Sequence, residues 1–260
     1  MFNYTRSNSI RKLPKKDLEF LASVYCDKRD DYTNVAAIIQ KDPDMILQII
    51  DSERVFDRLM NSEDEIIDVS PFLFFLIIIR KVFLKLAEDG SFMFEFHEIK
   101  KPVSGLPIQD EDVETLLTDS RMHEYLANVL TGFMGFNPLK SKNFSWEKKW
   151  IYISEMLYKS WDMSPVESFL LRVHLANYTL WLCSFLPESV EYSNRYRKRV
   201  IGMSYYICFG KYLFHLASTS RIVRNREQSA LLDSLSTGFD IVRLAMFRLK
   251  KSVSAVSSMF

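Results

Sequence analysis

Apolar residues recur along this chain at the spacing of an α-helix. In Lys15 to Asp30, Leu18, Leu21, Ala22 and Tyr25 stand at i, i+3, i+4 and i+7, one face of an amphipathic helix. Asn34 can cap a short helix over Val35 to Gln40. Asp42-Pro43 pairs a capping residue with a proline at the first helical position, so a helix is expected from Pro43 to Asn61. It would bury Ile46, Ile49, Ile50, Phe56 and Leu59 or Met60.

Ser70-Pro71 repeats that start signal and opens a helix over Pro71 to Glu88. Its first turns are apolar on all sides, which places it at the centre of the core. Phe92 to Phe96 sets a phenylalanine at every second position (Phe, Met, Phe, Glu, Phe) beside Gly90-Ser91, so a short β-hairpin over 92–108 is expected there. Helices follow from Asp110 to Leu117 and, capped by Asp119 or Ser120, to about Phe133, with Tyr125, Leu126, Val129 and Leu130 inward. Residues 136–144 read as a loop. Trp146 to Trp161 carries a stripe of Trp150, Ile153, Met156 or Leu157 and Trp161. Ser164-Pro165 starts a long helix that stops before Pro187, and another runs from Asn194 to about Thr219. The last, Glu227 to Ser257, is the longest, with Leu231, Leu235, Val242, Met246, Leu249, Val253 and Val256 at steps of three, four or seven.

The expected fold is therefore all-α, a multi-helix bundle-like arrangement. Residues 1–260 read as one helical domain, with two lobes meeting near 136–144 and a basic arm over 1–14. Composition agrees: only 7 glycines occur in 260 residues, too few for the tight turns of a sandwich or barrel. No apolar stretch reaches the roughly 20 residues of a membrane span. The polar, basic start lacks a signal-peptide core, so a cytoplasmic location is expected. The cysteines, Cys26, Cys183 and Cys208, are too few and too scattered for a disulfide scaffold; Cys183 and Cys208 read as buried small hydrophobes.

Net charge is +1 but unevenly placed: from Ser193 onward there are twelve Lys/Arg against three Asp/Glu. The basic cluster Arg195, Arg197, Lys198 and Arg199, followed by Arg221, Arg224 and Arg226, has tyrosines interleaved. Such a face can hold phosphates and stack bases, or it can pack against the chain's own acidic part.

Ser70-Pro71-Phe72-Leu73-Phe74-Phe75 with Arg80 behind it, Glu124-Tyr125-Leu126-Ala127, and Phe185-Leu186-Pro187-Glu188 together resemble an uncharacterised bacterial family of helical proteins. The resemblance covers about 66–217 in patches. It implies a helical fold and transfers no activity.

Sequence motifs for chemistry are missing. His97, His123, His174 and His215 form no i, i+4 pair, no H-E-x-x-H and no Glu-x-x-His pair, so no metal is expected. His174 and His215, in apolar helices, read as hydrogen-bonded core residues. Neither a G-x-S-x-G elbow nor a phosphate loop occurs, and no cofactor is expected. The reading leans away from an enzyme and toward a helical interaction or regulatory protein. Its expected partner is a second copy, met through Leu231, Leu235, Val242, Met246, Leu249 and Val253. The alternatives are a nucleic-acid-associated protein using the basic C-terminal face, or a small-ligand site lined by Trp150, Trp161, Trp181, Tyr178 and Phe185.

Overall fold

The computed structural model describes residues 9–26, 32–60, 68–99, 110–134, 156–158, 160–196, 202–223 and 225–257. Every regular element among them is a helix, as the periodicity requires. The α-helices are α1 (Lys15–Tyr25), α2 (Tyr32–Ile39), α3 (Pro43–Ile50), α4 (Glu53–Met60), α5 (Pro71–Glu88), α6 (Gly90–Ile99), α7 (Asp110–Thr118) and α8 (Ser120–Met134). They continue as α9 (Pro165–Phe185), α10 (Pro187–Tyr196), α11 (Met203–Ser218), α12 (Arg226–Thr237) and α13 (Phe239–Ser257), with 3₁₀ turns at Ile10–Lys12 and Ser160–Asp162.

The proline-led starts are made as the local chemistry dictates. Asp42 accepts hydrogen bonds from the amides of Asp44 and Met45, and Ser70 accepts one from Leu73. Ser164 and Glu167 form a reciprocal capping box that satisfies two otherwise orphaned donors. Asn34, by contrast, lies inside the first turn of α2 and does not cap it from outside.

Helix α5 is the axis of the molecule. α4, α6, α7, α8 and α13 pack against it, while α1 gathers α2, α3 and α4. On the other side α9 packs on α11 and α13, and α12 lies along α11. The buried side chains form one continuous cluster from Ile10 to Leu249. Gly210 on α11 is where three helices come closest: a Cβ there would lie 2.5 Å from the Phe239 ring and 2.5 Å from the Thr179 hydroxyl.

Several expectations are corrected. Residues 92–96 are helical, not part of a hairpin; residues 100–108 lie outside the described residues. Phe92 and Phe96, four apart, both enter the core, while Phe94 is 68 % exposed. A spacing of four satisfies a helix as well as a strand, and the intervening Phe94 made the strand period look real. The expected helix over 43–61 breaks at Asp51-Ser52. In an unbroken helix Val55 would sit about half a turn around from Ile46; the break turns Val55 fully inward. The expected helix over 194–219 is likewise divided, since Gly202 is extended (φ −97°, ψ −176°) and α10 opens earlier at Pro187.

The long terminal helix is two helices, α12 and α13, separated by the buried Gly238. The arm expected over 1–14 is docked from Ser9 onward, with Ile10 and Leu13 buried. Tyr25 and Trp161, expected on inward stripes, are exposed. The loop at 136–144 and the stripe residues Trp150 and Ile153 lie outside the described residues.

Candidate functional site

The most concentrated polar chemistry in the interior surrounds Arg80, midway along α5. Its guanidinium meets Asp51, at the α3–α4 break, through two parallel bonds of 2.6 Å from Nε and Nη2. This two-pronged geometry is the strongest that Arg and a carboxylate can make. Arg80 Nη1 lies 3.4 Å from Nδ1 of His123 on α8, and Nε2 of His123 lies 2.7 Å from the carbonyl oxygen of Leu117. A carbonyl can only accept, so Nε2 carries the proton and Nδ1 accepts from Arg80. The ring is fully buried and stands edge-on to Phe83. Burial, with the cationic Arg80 beside it, pulls His123 down from the ordinary 6.5 to about 4, against the opposing pull of the Leu117 carbonyl.

Glu124 extends the cluster to the start of the chain. Its Oε2 accepts from the backbone amides of Ser9 (3.0 Å) and Ile10 (3.4 Å), and Asn128 donates to the Ser9 hydroxyl (3.0 Å). Burial raises the Glu124 carboxyl above the usual range, although these amides and Arg80 act in the opposite direction. A fully buried carboxylate, Asp17 on α1, accepts from both the amide (2.7 Å) and the hydroxyl of Ser70, and so steadies the cap of α5. Each of these charges is spent on another helix. Their evident work is to join the N-terminal turn, the α3–α4 break, α5 and α8. An open groove of about 540 Å³ adjoins the cluster, lined by Ile50, Asp51, Glu53, Lys81, Leu84, Lys85 and Glu88.

Arg80 and Glu124 stand in the segments that carry the family resemblance, though for no chemistry. Asp51 and His123 do not. Asp51 resembled one more exposed acid in a helix, and His123 lacked any motif partner.

The other predicted residues are dispersed. Of the basic cluster, Arg221 and Arg226 are exposed around the turn between α11 and α12. Arg197, Lys198, Arg199 and Arg224 lie outside the described residues, as does the side chain of Arg195. Part of the C-terminal positive charge is answered within the chain: Arg248 pairs with Glu95 of α6, and Lys250 with Glu188 of α10 (3.5 Å). Among the expected interface residues, Leu235, Val242, Met246 and Leu249 are buried in the chain's own core and Leu231 packs on its edge. Their face is already covered, which moves any contact with a second copy elsewhere; the side chain of Val253 lies outside the described residues.

The expected aromatic pocket is not assembled as predicted. Tyr178 and Trp181 do lie together, with Phe133 stacked on Trp181 at 5.4 Å and on His174 at 6.0 Å. Trp161 is instead exposed against Tyr158, and Trp150 lies outside the described residues. His174 is half-buried, and loss of solvent lowers its pKa, whereas His215, expected in the core, is exposed and 3.9 Å from Asp233. Cys183 is buried, and burial pushes its thiol up to about 12. Cys208, also expected to be buried, is exposed.

That exposure reveals a feature that periodicity concealed. Tyr206, Gly210, Leu213, Phe214 and Ala217 of α11 face the core. A second series, Tyr205, Cys208, Phe209, Tyr212 and Leu216, follows the i, i+3, i+4, i+7, i+11 pattern on another side. Cys208 and Tyr212 are exposed, the other three half-buried, and Tyr205 stacks on Phe209 at 5.7 Å.

Among the described residues, no three His, Cys, Asp or Glu side chains gather as a metal-binding group. No helix there is long and apolar enough to cross a membrane. In comparison with known proteins, no family, no curated protein and no solved structure matches this chain.

Proposed function

We propose that the chain is a helical interaction protein that assembles with a second copy through its C-terminal part. One observation supports this reading above the others: α11 carries a second apolar stripe, rich in tyrosine and free of charge, on a side that its own domain leaves partly uncovered. Aromatic enrichment with charge depletion is the composition of an interface core. The Arg80 cluster agrees with a binding role, because its polar groups are committed to holding helices together.

Sedimentation of the full chain tests the reading. The wild type is expected to form dimers at micromolar concentration. Tyr212→Glu, at a half-exposed position (50 %) that the fold does not need, should weaken assembly at least tenfold. A wild type that remains monomeric at tens of micromolar overturns the proposal.

A nucleic-acid contact is the second reading, supported by the exposed guanidiniums of Arg221 and Arg226. It calls for binding to a single-stranded oligonucleotide that weakens with salt and is lost when both become Glu. Binding unaffected by the double substitution rejects it.

A further inference from the structure

The turn Ser9–Leu13 takes all its printed side-chain hydrogen bonds from one distant helix, α8. We propose that Glu124 and Asn128 of α8 form a peptide-binding site, filled by the chain's own N-terminal turn, which opens as a unit while the rest of the fold stays closed.

Glu124 Oε2 accepts from two successive backbone amides, those of Ser9 (3.0 Å) and Ile10 (3.4 Å). Asn128 Nδ2 donates to the Ser9 hydroxyl (3.0 Å) and also to the Glu124 carbonyl (2.9 Å), four residues back on α8. The second bond braces Asn128 on its own helix, so its place does not depend on the turn. Ile10 and Leu13 supply the apolar part of the contact and are 3 % and 4 % exposed. Arg11 and Lys12 between them face solvent. Main-chain hydrogen bonds that hold a segment, with apolar side chains that select it, are the elements of peptide recognition. The ligand chemistry is thus a short segment of the pattern Ser-Ile-x-x-Leu.

The same contact is built to separate. The docked element is a single 3₁₀ turn, too short to be stable by itself. Leu13 (φ −55°, ψ 136°) and Pro14 (φ −57°, ψ 153°) are extended and interrupt the path to α1. Departure of the turn strands no charge. Arg80 keeps both bonds to Asp51, and Glu124, half-buried with the turn in place, gains water.

Hydrogen exchange of the full chain, in urea below its unfolding transition, tests the opening. The amides of Ser9 and Ile10 are expected to exchange by a local step that urea does not accelerate, while those of Ile78 and Leu126 wait for global unfolding. Exchange of all four only through the global step overturns the separate opening, as does a chain unfolded by Ile10→Asp. An acetylated, fluorescently labelled peptide of residues 8–14 tests the site. Its anisotropy should show saturable binding to the full chain carrying Ile10→Asp, roughly tenfold or more tighter than to wild type. Adding Glu124→Ala and Asn128→Ala should abolish that binding. A folded Ile10→Asp chain that ignores millimolar peptide overturns the binding site.

Discussion

Arg80 of α5 and Asp51 at the α3–α4 break are 29 residues apart and meet through two hydrogen bonds of 2.6 Å. The Arg80 side chain is 9 % exposed and that of Asp51 32 %, so the pair straddles the edge of the core. Removing one partner leaves a buried charge unanswered. Asp51→Ala should cost about 3 kcal/mol, the lower end for a broken buried pair because Asp51 retains some solvent. Replacing both residues by leucine should recover much of that loss. Urea titration of the single and double variants measures the difference; a double variant as unstable as the single one would refute this account of the pair.

His123 makes stability depend on acid. Its folded pKa lies near 4, below the ordinary 6.5. Below about pH 6.5 the unfolded chain takes up a proton that the folded chain refuses. Stability is therefore complete above that value and falls as the pH drops toward 4, by roughly 3 kcal/mol in all. Glu124, raised by burial, pulls the other way and makes the combined slope shallower. His123→Gln can accept from Arg80 and donate to Leu117 without titrating, so its stability curve should lack this limb. Equal slopes for His123→Gln and wild type between pH 6.5 and 4 would count against the assignment.

Two helical glycines should respond to alanine with opposite signs. A Cβ at Gly210 would press into the Phe239 ring and the Thr179 hydroxyl. Gly210→Ala is expected to cost about 1–3 kcal/mol despite the better helix propensity of alanine. At Gly90 a Cβ meets nothing within 4 Å. Gly90→Ala should instead stabilise by about 0.5–1 kcal/mol through the unfolded chain. Thermal melts of the two variants side by side decide the matter.

Ser70→Ala should be more damaging than the loss of an ordinary cap. The hydroxyl that accepts from Leu73 also donates to Asp17, whose carboxylate is fully buried. Losing the cap costs about 1 kcal/mol, and the partly abandoned carboxylate adds about 1–3. Ser70→Thr keeps the hydroxyl and should recover most of the stability. A melting temperature for Ser70→Ala within a degree of wild type would show that Asp17 does not depend on this contact.

The starts of α3, α5 and α9 are legible in the sequence because capping is local: a polar side chain followed by proline is nearly the whole signal. The ends and breaks are harder to read. Leu235 and Val242 are seven residues apart and stay in phase across Gly238, so the apolar rhythm runs straight through the break. Ile50 and Val55 belong to different helices, yet nothing between them apart from Asp51-Ser52 announces it. The Arg80 cluster was not legible as a cluster, since His123 lies 43 positions away from Arg80 and meets it only after α5 and α8 have packed. The outer stripe of α11 was hidden for another reason. Its tyrosines, cysteine and phenylalanine blend with the inner face into a helix that looks apolar throughout, and only the packing of α9 and α13 on the inner face tells the two apart.

The break at Gly238 decides what the last 32 residues of helical chain pack against. As a straight rod, 226–257 would extend about 48 Å, with a greasy seam suited to another molecule. Broken at the glycine, the first helix lies along α11, while the second packs over α5 and α9. The seam closes inward, and what reads in one dimension as an adhesive tail becomes the molecule's own inner lining.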